Sequence, residues 1–434
     1  MSERLLVKNA NTESGLVDIL VNDGLIKSVY KATDSKYQEN IKILDAENRF
    51  VIPGMIDPHV HFRSPGLTEK EDWASAGPAA LSGGVTTVID MPNTKPPTET
   101  MKALELKRFE AEKAGLNCPR HLFWSGATED SINELPVLLA EKDIAGVKLF
   151  FSSTSSNNSS SKPDFIRKVF SLAATANKPV AVHSELASII AESANIDVSQ
   201  CSFLEGHNLR RPPAAAEKGT ELALQLAAET GCKLYICHLS TALEFDIIRK
   251  FKAEYGTDSV IAELMPHHLL LDETHHVIDG PQSWAKVNPP LRYQKDREAA
   301  IEALLDGTID LIGSDHAPHK LSEKEQIGKS FYDCPSGFPG VETELGLIAS
   351  FLSQKSSNWL SDLQKLTSGR ASNIFNLSER SGIREGSLAD LVILGGSKRI
   401  DSNSFKSKAK FSPFNGMTMP VSVYKTIFGG RIIE

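Results

Sequence analysis

The sequence lacks the features that would place a protein in several specialised classes. No apolar run approaches the roughly 18 residues that suggest a membrane span, and the start, Met1 to Leu5, lacks the long apolar core of a signal peptide. The net charge of −8 provides no basic footprint for nucleic acid or an anionic membrane. The five cysteines include no CxxC pair, which fits reduced thiols better than a disulfide framework. We therefore expect a cytoplasmic protein without nucleic-acid or membrane partners.

The length and the composition are those of a large globular protein. The chain has 434 residues, of which 41% are hydrophobic and 24% are charged. This length suits either a large barrel with an appendage or two to three domains. Cys232 and Cys237 flank a strand-like segment, and we expect them to pack in the core.

Both ends of the chain carry short segments in which apolar and polar residues alternate. Between two such runs near the start, Asn22-Asp23-Gly24 is a strong hairpin signal. The last 45 or so residues have a similar texture, from Ala389 to Ile433. Neither end offers enough strands for a stable sheet alone, so we expect residues 1–52 and 386–434 to combine into one β-sandwich-like domain.

Between the two ends, short apolar runs alternate with amphipathic stretches of 10 to 18 residues, which is typical of βα units. Eight strands are predicted, at Met55–His61, Thr86–Met91, His121–Ala127, Gly146–Phe150, Pro179–His183, Leu234–Leu239, Val260–Met265 and Asp310–Ser314. They predict an α/β fold, a (β/α)8 TIM barrel over residues 53–385. An open doubly wound sheet is the alternative, but no GxGxxG follows the first strand. The serine-rich residues 152–161 are expected to form a mobile loop, either a plain solvated one or a substrate lid.

Titratable or metal-binding side chains stand at the ends of five of these strands. His59 and His61 alternate in an extended segment, so their imidazoles can aim at one point. The other groups follow later strands: Lys148, His183, His238 and Asp315. Because chemistry in such barrels collects at the carboxyl ends of the strands, we predict a metal site there. A hydrogen-bonded core histidine is the alternative for His183 or His238 taken alone.

The size of this donor set predicts two metal ions. Zinc usually takes about four ligands, so we expect His59, His61 and Asp315 on one ion and His183 and His238 on the other. An ammonium at Lys148 would be repelled by two cations, which favours the neutral amine. That amine can add carbon dioxide to give a carbamate that bridges both ions. The alternative is a lysine that reaches solvent or a substrate acid.

Two metals and a carboxylate predict hydrolysis of an amide-like bond, run in either direction. A bridging water becomes hydroxide and attacks a polarised carbonyl, while Asp315 accepts the proton and returns it to the leaving nitrogen. Candidate substrate-binding residues on the same rim are Arg63, Asn93, Asn288 and His319. The guanidinium of Arg63 suits a substrate carboxylate. His267 and His268 are interpreted as structural or supporting residues.

In combination these segments are similar to those of the dihydroorotases of the amidohydrolase superfamily, over nearly the whole chain. The matching motifs are Asp57-Pro58-His59-Val60-His61-Phe62-Arg63-Ser64-Pro65-Gly66, Met91-Pro92-Asn93-Thr94, Gly146-Val147-Lys148-Leu149-Phe150, Val182-His183-Ser184-Glu185, Cys237-His238-Leu239-Ser240-Thr241, Val287-Asn288-Pro289-Pro290-Leu291-Arg292 and Gly313-Ser314-Asp315-His316-Ala317-Pro318-His319. The resemblance implies a zinc enzyme of pyrimidine (UMP) biosynthesis that interconverts N-carbamoyl-L-aspartate and L-dihydroorotate. It implies that Arg63, Asn93, Asn288 and His319 hold the substrate, with Arg63 on its carboxylate. We expect two Zn2+ per chain and a homodimer.

One departure from the family pattern widens the range of substrates to be considered. Many longer dihydroorotases that this chain resembles place an aspartate-rich turn after strand four, whereas here the residues are Phe151-Ser152-Ser153. The chain therefore resembles the lysine-carbamate branch, which includes allantoinases and dihydropyrimidinases. A related cyclic amidohydrolase is the alternative function, and Arg63 argues against it because those cyclic amides carry no carboxylate at that point. A catalytically inactive partner subunit is the non-enzymatic alternative.

Overall fold

The computed structural model describes residues 4–32, 41–152, 162–325 and 333–433. Of the predicted serine-rich loop at residues 152–161, only Ser152 lies within the described residues. None of the helices in the described part of the chain has both the length and the apolar character that crossing a membrane requires.

The N-terminal segment forms a sheet by itself, which differs from the expectation that it has too few strands. The strands β1 (Arg4–Thr12), β2 (Gly15–Asn22), β3 (Leu25–Lys31) and β4 (Lys42–Asp45) lie in the order β3-β2-β1-β4. The predicted hairpin is confirmed: Asn22 pairs with Leu25 across a two-residue turn. Asp23 and Gly24 both have positive φ, at 49° and 75°, as a type I′ turn requires.

The strand β5 (Val51–Pro53) leads into a barrel of eight parallel strands, which confirms the predicted fold class. These strands are β6 (Met55–Val60), β7 (Val85–Asp90), β8 (Arg120–Ser125), β9 (Ile144–Phe150), β10 (Val180–His183), β11 (Leu234–Ile236), β12 (Val260–Leu264) and β13 (Leu311–Ile312). Each pairs with the next in sequence order. The ring is closed beyond β13, where the N–H of His61 donates to the carbonyl of His316 (2.8 Å) and Val60 forms a parallel bridge with His316.

Helices follow the barrel strands, as a right-handed βα succession requires. The α-helices are Trp73–Ser82, Met101–Glu112, Leu135–Ala140, Pro163–Thr175, Ala187–Ser193, Phe203–Arg210, Pro213–Thr230, Ala242–Tyr255, Pro266–Leu270, Gln294–Leu305, Leu321–Lys324, Glu344–Lys355, Trp359–Gln364 and Arg370–Ile374. Shorter helical turns span Gly115–Asn117, Gln282–Ala285, Lys365–Gly369, Ser378–Arg380 and Ser402–Ser404. Apolar faces of strands and helices bury one large core between them.

The C-terminal segment completes a second sheet. It contributes β14 (Leu391–Gly395), a small ribbon of β15 (Lys398–Arg399) and β16 (Thr418–Met419), then β17 (Ser422–Phe428) and β18 (Arg431–Ile433). The second sheet has the order β18-β17-β14-β5. Its buried residues share one core with those of the first sheet, for example Leu391 and Ile393 with Val7 and Ile19, so the two ends form the predicted β-sandwich. The domain boundaries at residues 52/53 and 385/386 stay a prediction.

Part of the C-terminal segment packs against barrel loops instead of the sandwich. Phe405, Phe411 and Phe414 share an apolar cluster with Trp284 and Val287, which follow β12. This cluster supports the loops on the side of the barrel where the strands end, and it is the side on which the predicted site residues stand.

Candidate metal centre

A cavity of about 230 Å³ opens among the segments that follow the barrel strands. Its lining residues are His59, His61, Arg63, Asn93, Phe150, His183, His238, Val287, Asn288, Asp315, Ala317, Pro335, Ser336 and Gly337. Most of the side chains predicted from the sequence therefore meet in one place. Lys148 and His319 do not line the cavity but lie directly behind residues that do: the Nζ of Lys148 is 5.1 Å from the ring centre of Phe150, and His319 contacts Arg63.

One group of donors consists of His59, His61 and Asp315. The Nε2 atom of His61 lies 3.2 Å from Oδ1 of Asp315, and the Nε2 atom of His59 lies 3.5 Å from the same oxygen. All three donor atoms are within 4.8 Å of one another and the residues are buried or nearly so. The alternation of His59 and His61 thus converges on one point, as the sequence predicts.

The outer nitrogens of these two imidazoles are fixed by acceptors. The Nδ1 atom of His59 donates to Oε2 of Glu263 (2.9 Å), and the Nδ1 atom of His61 donates to Oδ1 of Asn93 (2.6 Å). These acceptors place a hydrogen on each Nδ1 atom, which leaves the Nε2 atoms beside Asp315 as the nitrogens available to a cation. This arrangement fits a metal ion bound by neutral imidazoles.

The second group of donors is a histidine pair. The Nδ1 atom of His183 lies 3.0 Å from the Nε2 atom of His238. The Nε2–H of His183 donates to Glu185 (3.0 Å), which leaves the lone pair of its Nδ1 atom facing His238. Glu185 is itself anchored by Arg211 (2.6 Å) and Arg292 (3.3 Å). The pair offers a second cation two further nitrogens.

Lys148 is fully buried between the two groups. Its strand, β9, pairs with β10 so that Lys148 lies beside Ala181, two residues before His183. The Nζ atom of Lys148 is 2.8 Å from the thiol sulfur of Cys237, the residue before His238. Lys148 therefore lies next to the segments that carry the histidine pair. Phe151 and Ser152, which follow β9 directly, are both buried.

The charges around the site favour a cation. Burial lowers the pKa of His59, but the carboxylates of Glu263 and Asp315 outweigh it and raise the pKa. Burial raises the pKa of Asp315, but His59 and His61 hold it well below its usual range. The carboxyl groups of Glu263 and Asp315 thus flank one imidazole, and a positive charge at this point is stabilised by both.

The predicted substrate-binding residues lie on one side of the cavity. The Nε of Arg63 donates to the carbonyl of Pro318 (3.2 Å), and its Nη2 atom lies 3.3 Å from Nε2 of His319. The Oδ1 atom of Asn288 accepts from His207 (3.0 Å) and Ser336 (3.0 Å). Asn93 uses its oxygen to orient His61, so only its amide NH2 is free to face a substrate.

Three side chains of the site stand on backbone that L-residues seldom adopt. Arg63, His238 and Asp315 have φ of 63°, 38° and 46°, in the left-handed region. The strand β6 ends at Val60, three residues before Arg63. Arg63 reaches the cavity through a turn of the chain. Strain of this kind is found at functional sites.

Glu263, Glu185 and Cys237 also belong to the site, although Cys237 was expected only to pack in the core and neither glutamate was predicted to be part of it. Glu263 also accepts from the hydroxyl of Tyr235 (2.5 Å) and from the N–H of His238 (2.9 Å). The sequence feature that could have identified Glu263 is its position as an acidic residue within the apolar run of β12. His59, Cys237 and Glu263 place donor atoms within 4.8 Å of one another. His267 and His268 are buried behind the site, and His268 is 3.1 Å from the carbonyl of Pro289.

The barrel, the convergent imidazoles and the carboxylate define a metal-dependent hydrolase. The chain belongs to the amidohydrolase family, whose sequence model matches residues 50–433. This confirms the family predicted from the motifs.

Two relatives and one solved structure show the similarity in detail. The chain is 32% identical over 439 residues to the protein named dihydroorotase of Methanosphaera stadtmanae, with 99% of this chain and 96% of that protein covered. It is 34% identical over 441 residues to the protein of the same name of Caldanaerobacter subterraneus, with 99% and 97% covered. The structure of L-hydantoinase (dihydropyrimidinase) from Arthrobacter aurescens superposes with a TM-score of 0.89 at 26% identity, with 100% of this chain and 96% of that chain covered.

Proposed function

We propose that the protein is a dihydroorotase, which catalyses the reversible, zinc-dependent hydrolysis of L-dihydroorotate to N-carbamoyl-L-aspartate in de novo pyrimidine biosynthesis. Its relatives of 32% and 34% identity bear the name dihydroorotase over nearly their full length. The observation that carries the proposal is the buried guanidinium of Arg63 at the edge of the cavity.

Arg63 is a buried charge that no carboxylate neutralises by contact. Its residue is 3% exposed, and among the described residues no carboxylate oxygen lies within 4.0 Å of its guanidinium, whose contacts are Pro318 and His319. Burial lowers the pKa of Arg63 to about 10, so it is still charged at neutral pH. A buried charge is costly unless it is paired. The carboxylate of dihydroorotate would pair it, whereas uncharged hydantoin or dihydropyrimidine rings would not.

The donor set fits two zinc ions. His59, His61 and Asp315 would hold one ion, His183 and His238 the other, and an N-carboxylated Lys148 would bridge them. When bound, the two ions would polarise the scissile carbonyl and acidify a water molecule.

Asp315 is the proposed general base and acid. His59 and His61 hold its pKa well below the usual range against the effect of burial, so the group is a carboxylate when hydrolysis begins. It accepts the proton of the attacking water and returns it to the ring nitrogen as the amide bond breaks. In ring closure the same carboxyl acts in the opposite order. Arg63, His319, Asn288 and Asn93 fix the substrate against this group.

We also propose that the protein works in the cytoplasm as a homodimer. The five cysteines are unpaired in the structure, which fits a reducing compartment. Light scattering of the purified protein tests the dimer.

Turnover of paired substrates tests the proposed function. We expect L-dihydroorotate to be hydrolysed far faster than dihydrouracil or allantoin. Arg63→Met should lower kcat/KM for dihydroorotate by about 30-fold or more, since truncating one partner of a buried charge pair costs about 2–5 kcal/mol, while zinc content stays constant. Arg249→Met, which removes an arginine paired with Asp246 and Asp306 on a surface helix, is the control. Preference for the uncharged rings would favour a hydantoinase-like activity, as the structural neighbour suggests, and would contradict the proposal.

A further inference from the structure

His319 is enclosed by four polar groups, and their arrangement determines where its hydrogen lies. The Nζ atom of Lys70 is 3.1 Å from Nδ1 of His319, and Oε2 of Glu323 is 3.7 Å from the same nitrogen. On the other side of the ring, Nε2 lies 3.1 Å from the carbonyl of Ser336 and 3.3 Å from Nη2 of Arg63. His319 itself is fully buried.

Lys70 is the group that decides the tautomer. An ammonium can only donate, so at 3.1 Å it requires a lone pair on Nδ1 of His319. Glu323 would favour a hydrogen on Nδ1, but 3.7 Å is beyond hydrogen-bonding distance. The carbonyl of Ser336 on the opposite side accepts a hydrogen from Nε2. Both sides of the ring therefore place the single hydrogen on Nε2.

The imidazole is neutral in this setting. Burial is the main cause that lowers the pKa of His319 to about 3; Glu323 opposes it, and the charges of Arg63 and Lys70 act in the same direction as burial. The contact between Nε2 of His319 and Nη2 of Arg63, at 3.3 Å, is thus between two donors. Two adjacent N–H groups form a cradle for one oxygen of an anion, and this oxygen would share the hydrogen of Nε2 with the carbonyl of Ser336.

We propose that Lys70 is a positioning residue of the carboxylate site: its ammonium holds His319 as the Nε2–H tautomer, so that His319 and Arg63 present paired donors to the substrate carboxylate. Lys70 is itself held in place. Its Nζ atom forms an ion pair with Oε1 of Glu323 (3.2 Å). Its backbone is tied to Arg63 by successive turns, from the N–H of Leu67 to the carbonyl of Arg63 (3.0 Å) and from the N–H of Lys70 to the carbonyl of Leu67 (2.9 Å).

Removing the ammonium reverses the tautomer. In Lys70→Met the ammonium that holds Oε1 of Glu323 is gone, so this carboxylate can close the 3.7 Å gap to Nδ1. As a charged acceptor it outweighs the carbonyl of Ser336 in the competition for the single hydrogen and favours Nδ1–H. The lone pair of Nε2 then faces Arg63 and accepts from its guanidinium at 3.3 Å. The substrate then loses the Nε2–H donor of His319, and one N–H of Arg63 is occupied by the imidazole.

Nitrogen NMR of the zinc-loaded enzyme labelled with 15N-histidine tests the tautomer directly. The signals of His319 are assigned by difference from His319→Gln. In the native protein Nδ1 should resonate as an unprotonated nitrogen and Nε2 as a protonated one, and Lys70→Met should reverse this. Protonated Nδ1 in the native protein, or an unchanged tautomer in Lys70→Met, overturns the proposal.

Steady-state kinetics test the consequence, which rests on the proposed function. Lys70→Met should raise KM for L-dihydroorotate about tenfold, equivalent to about 1.4 kcal/mol, and change kcat by less than about twofold. Lys70→Arg keeps a charged donor and should restore most of the affinity. Lys218→Met, which breaks an exposed pair with Glu221, is the control and should leave both constants unchanged.

The two measurements separate failure of this proposal from failure of the proposed function. If the native protein does not hydrolyse dihydroorotate, the function is wrong, and the NMR experiment still decides the role of Lys70. If the native protein is active but Lys70→Met lowers kcat with KM unchanged, Lys70 does not act through carboxylate binding.

Discussion

Glu263 is expected to control how tightly the first metal ion is held, although it would not touch that ion. Its carboxylate accepts from three donors: Nδ1 of His59 (2.9 Å) and the N–H of His238 (2.9 Å) at Oε2, and the hydroxyl of Tyr235 (2.5 Å) at Oε1. Of these three residues, His59 is a proposed ligand of one metal ion and His238 of the other. The perturbation is Glu263→Gln, which keeps the shape of the side chain and removes its charge.

The amide can satisfy the same neighbours. Its oxygen takes the place of Oε2 and accepts from His59 and His238, and its NH2 donates to the oxygen of Tyr235, whose hydroxyl hydrogen can rotate away. The variant therefore keeps the number of hydrogen bonds but loses the negative charge of Glu263. That charge makes His59 a stronger metal ligand. Substitutions of such supporting partners typically weaken metal binding by 10–100-fold, or about 1.4–2.7 kcal/mol.

Chelator competition measures this difference. The apoprotein and a zinc-binding dye compete for zinc, and the dissociation constant of each ion is obtained for the native protein and for Glu263→Gln. We expect the more weakly bound zinc of the variant to be removed at a chelator concentration at least tenfold lower. Thermal unfolding of the two apoproteins should occur at similar temperatures, because the buried hydrogen bonds are retained.

Asp310→Asn is the matched control. Asp310 is also a buried acid, but it lies at the other end of the barrel, where Lys252 and Arg370 pair with it (both 2.6 Å). This variant should lose stability without losing zinc affinity. The reasoning is refuted if Glu263→Gln binds zinc as tightly as the native protein, or if Asp310→Asn weakens binding equally.

Three further changes, the last with a matched control, probe the site and its support. Lys148→Ala should lose zinc and activity together, and a folded variant with full zinc content by elemental analysis would contradict the bridging role. The pKa of His207 is lowered from 6.5 to about 3 by burial and by Lys286 and Arg211, so the unfolded chain takes up a proton that the folded one does not. Stability should therefore fall as the pH drops below about 6.5, with His207 contributing about 1.36 kcal/mol per pH unit, and His207→Gln should flatten the pH profile of urea unfolding by that amount. Gly219→Ala places a Cβ 1.5 Å from the carbonyl of Ser184, between His183 and Glu185, and should lower both the melting temperature and zinc affinity. Gly231→Ala, where φ is +68° and no atom lies within 4 Å, should cost only about 1–2 kcal/mol and leave zinc binding unchanged.

The barrel could be predicted because its strands are local patterns. Each of the eight apolar runs became a strand, with ends that differ by up to three residues, and their order in the sheet follows from the handedness of βα units. The histidines and Asp315 could be assigned to one site for the same reason, since all carboxyl ends of the strands meet on one side. The N-terminal sheet was underestimated, because β4 is only four residues long and contributes little alternation.

The supporting contacts could not be predicted, because they join residues that are far apart in the chain. Glu263 and His59 are 204 positions apart, and Lys70 and His319 are 249 apart. Nothing in the local sequence of either partner indicates the other. The left-handed backbone of Arg63, His238 and Asp315 could not be predicted for a related reason. A positive φ is expected from sequence mainly at glycine, and none of these residues is glycine, so tertiary contacts must impose the conformation.

The comparison with hydantoinases shows where the specificity of this chain has to be found. A TM-score of 0.89 over the whole chain means that the fold is shared with an enzyme named for uncharged rings. Metal ligands cannot distinguish the substrates either, because each of these cyclic amides presents the same bond for hydrolysis. The difference has to come from a group that interacts with the substituent on the ring. Arg63 is such a group: it is buried and charged, lines the cavity, and has no carboxylate within contact distance among the described residues. Its charge favours an anionic substrate and disfavours a neutral one, since a neutral ring would leave the guanidinium desolvated and unpaired.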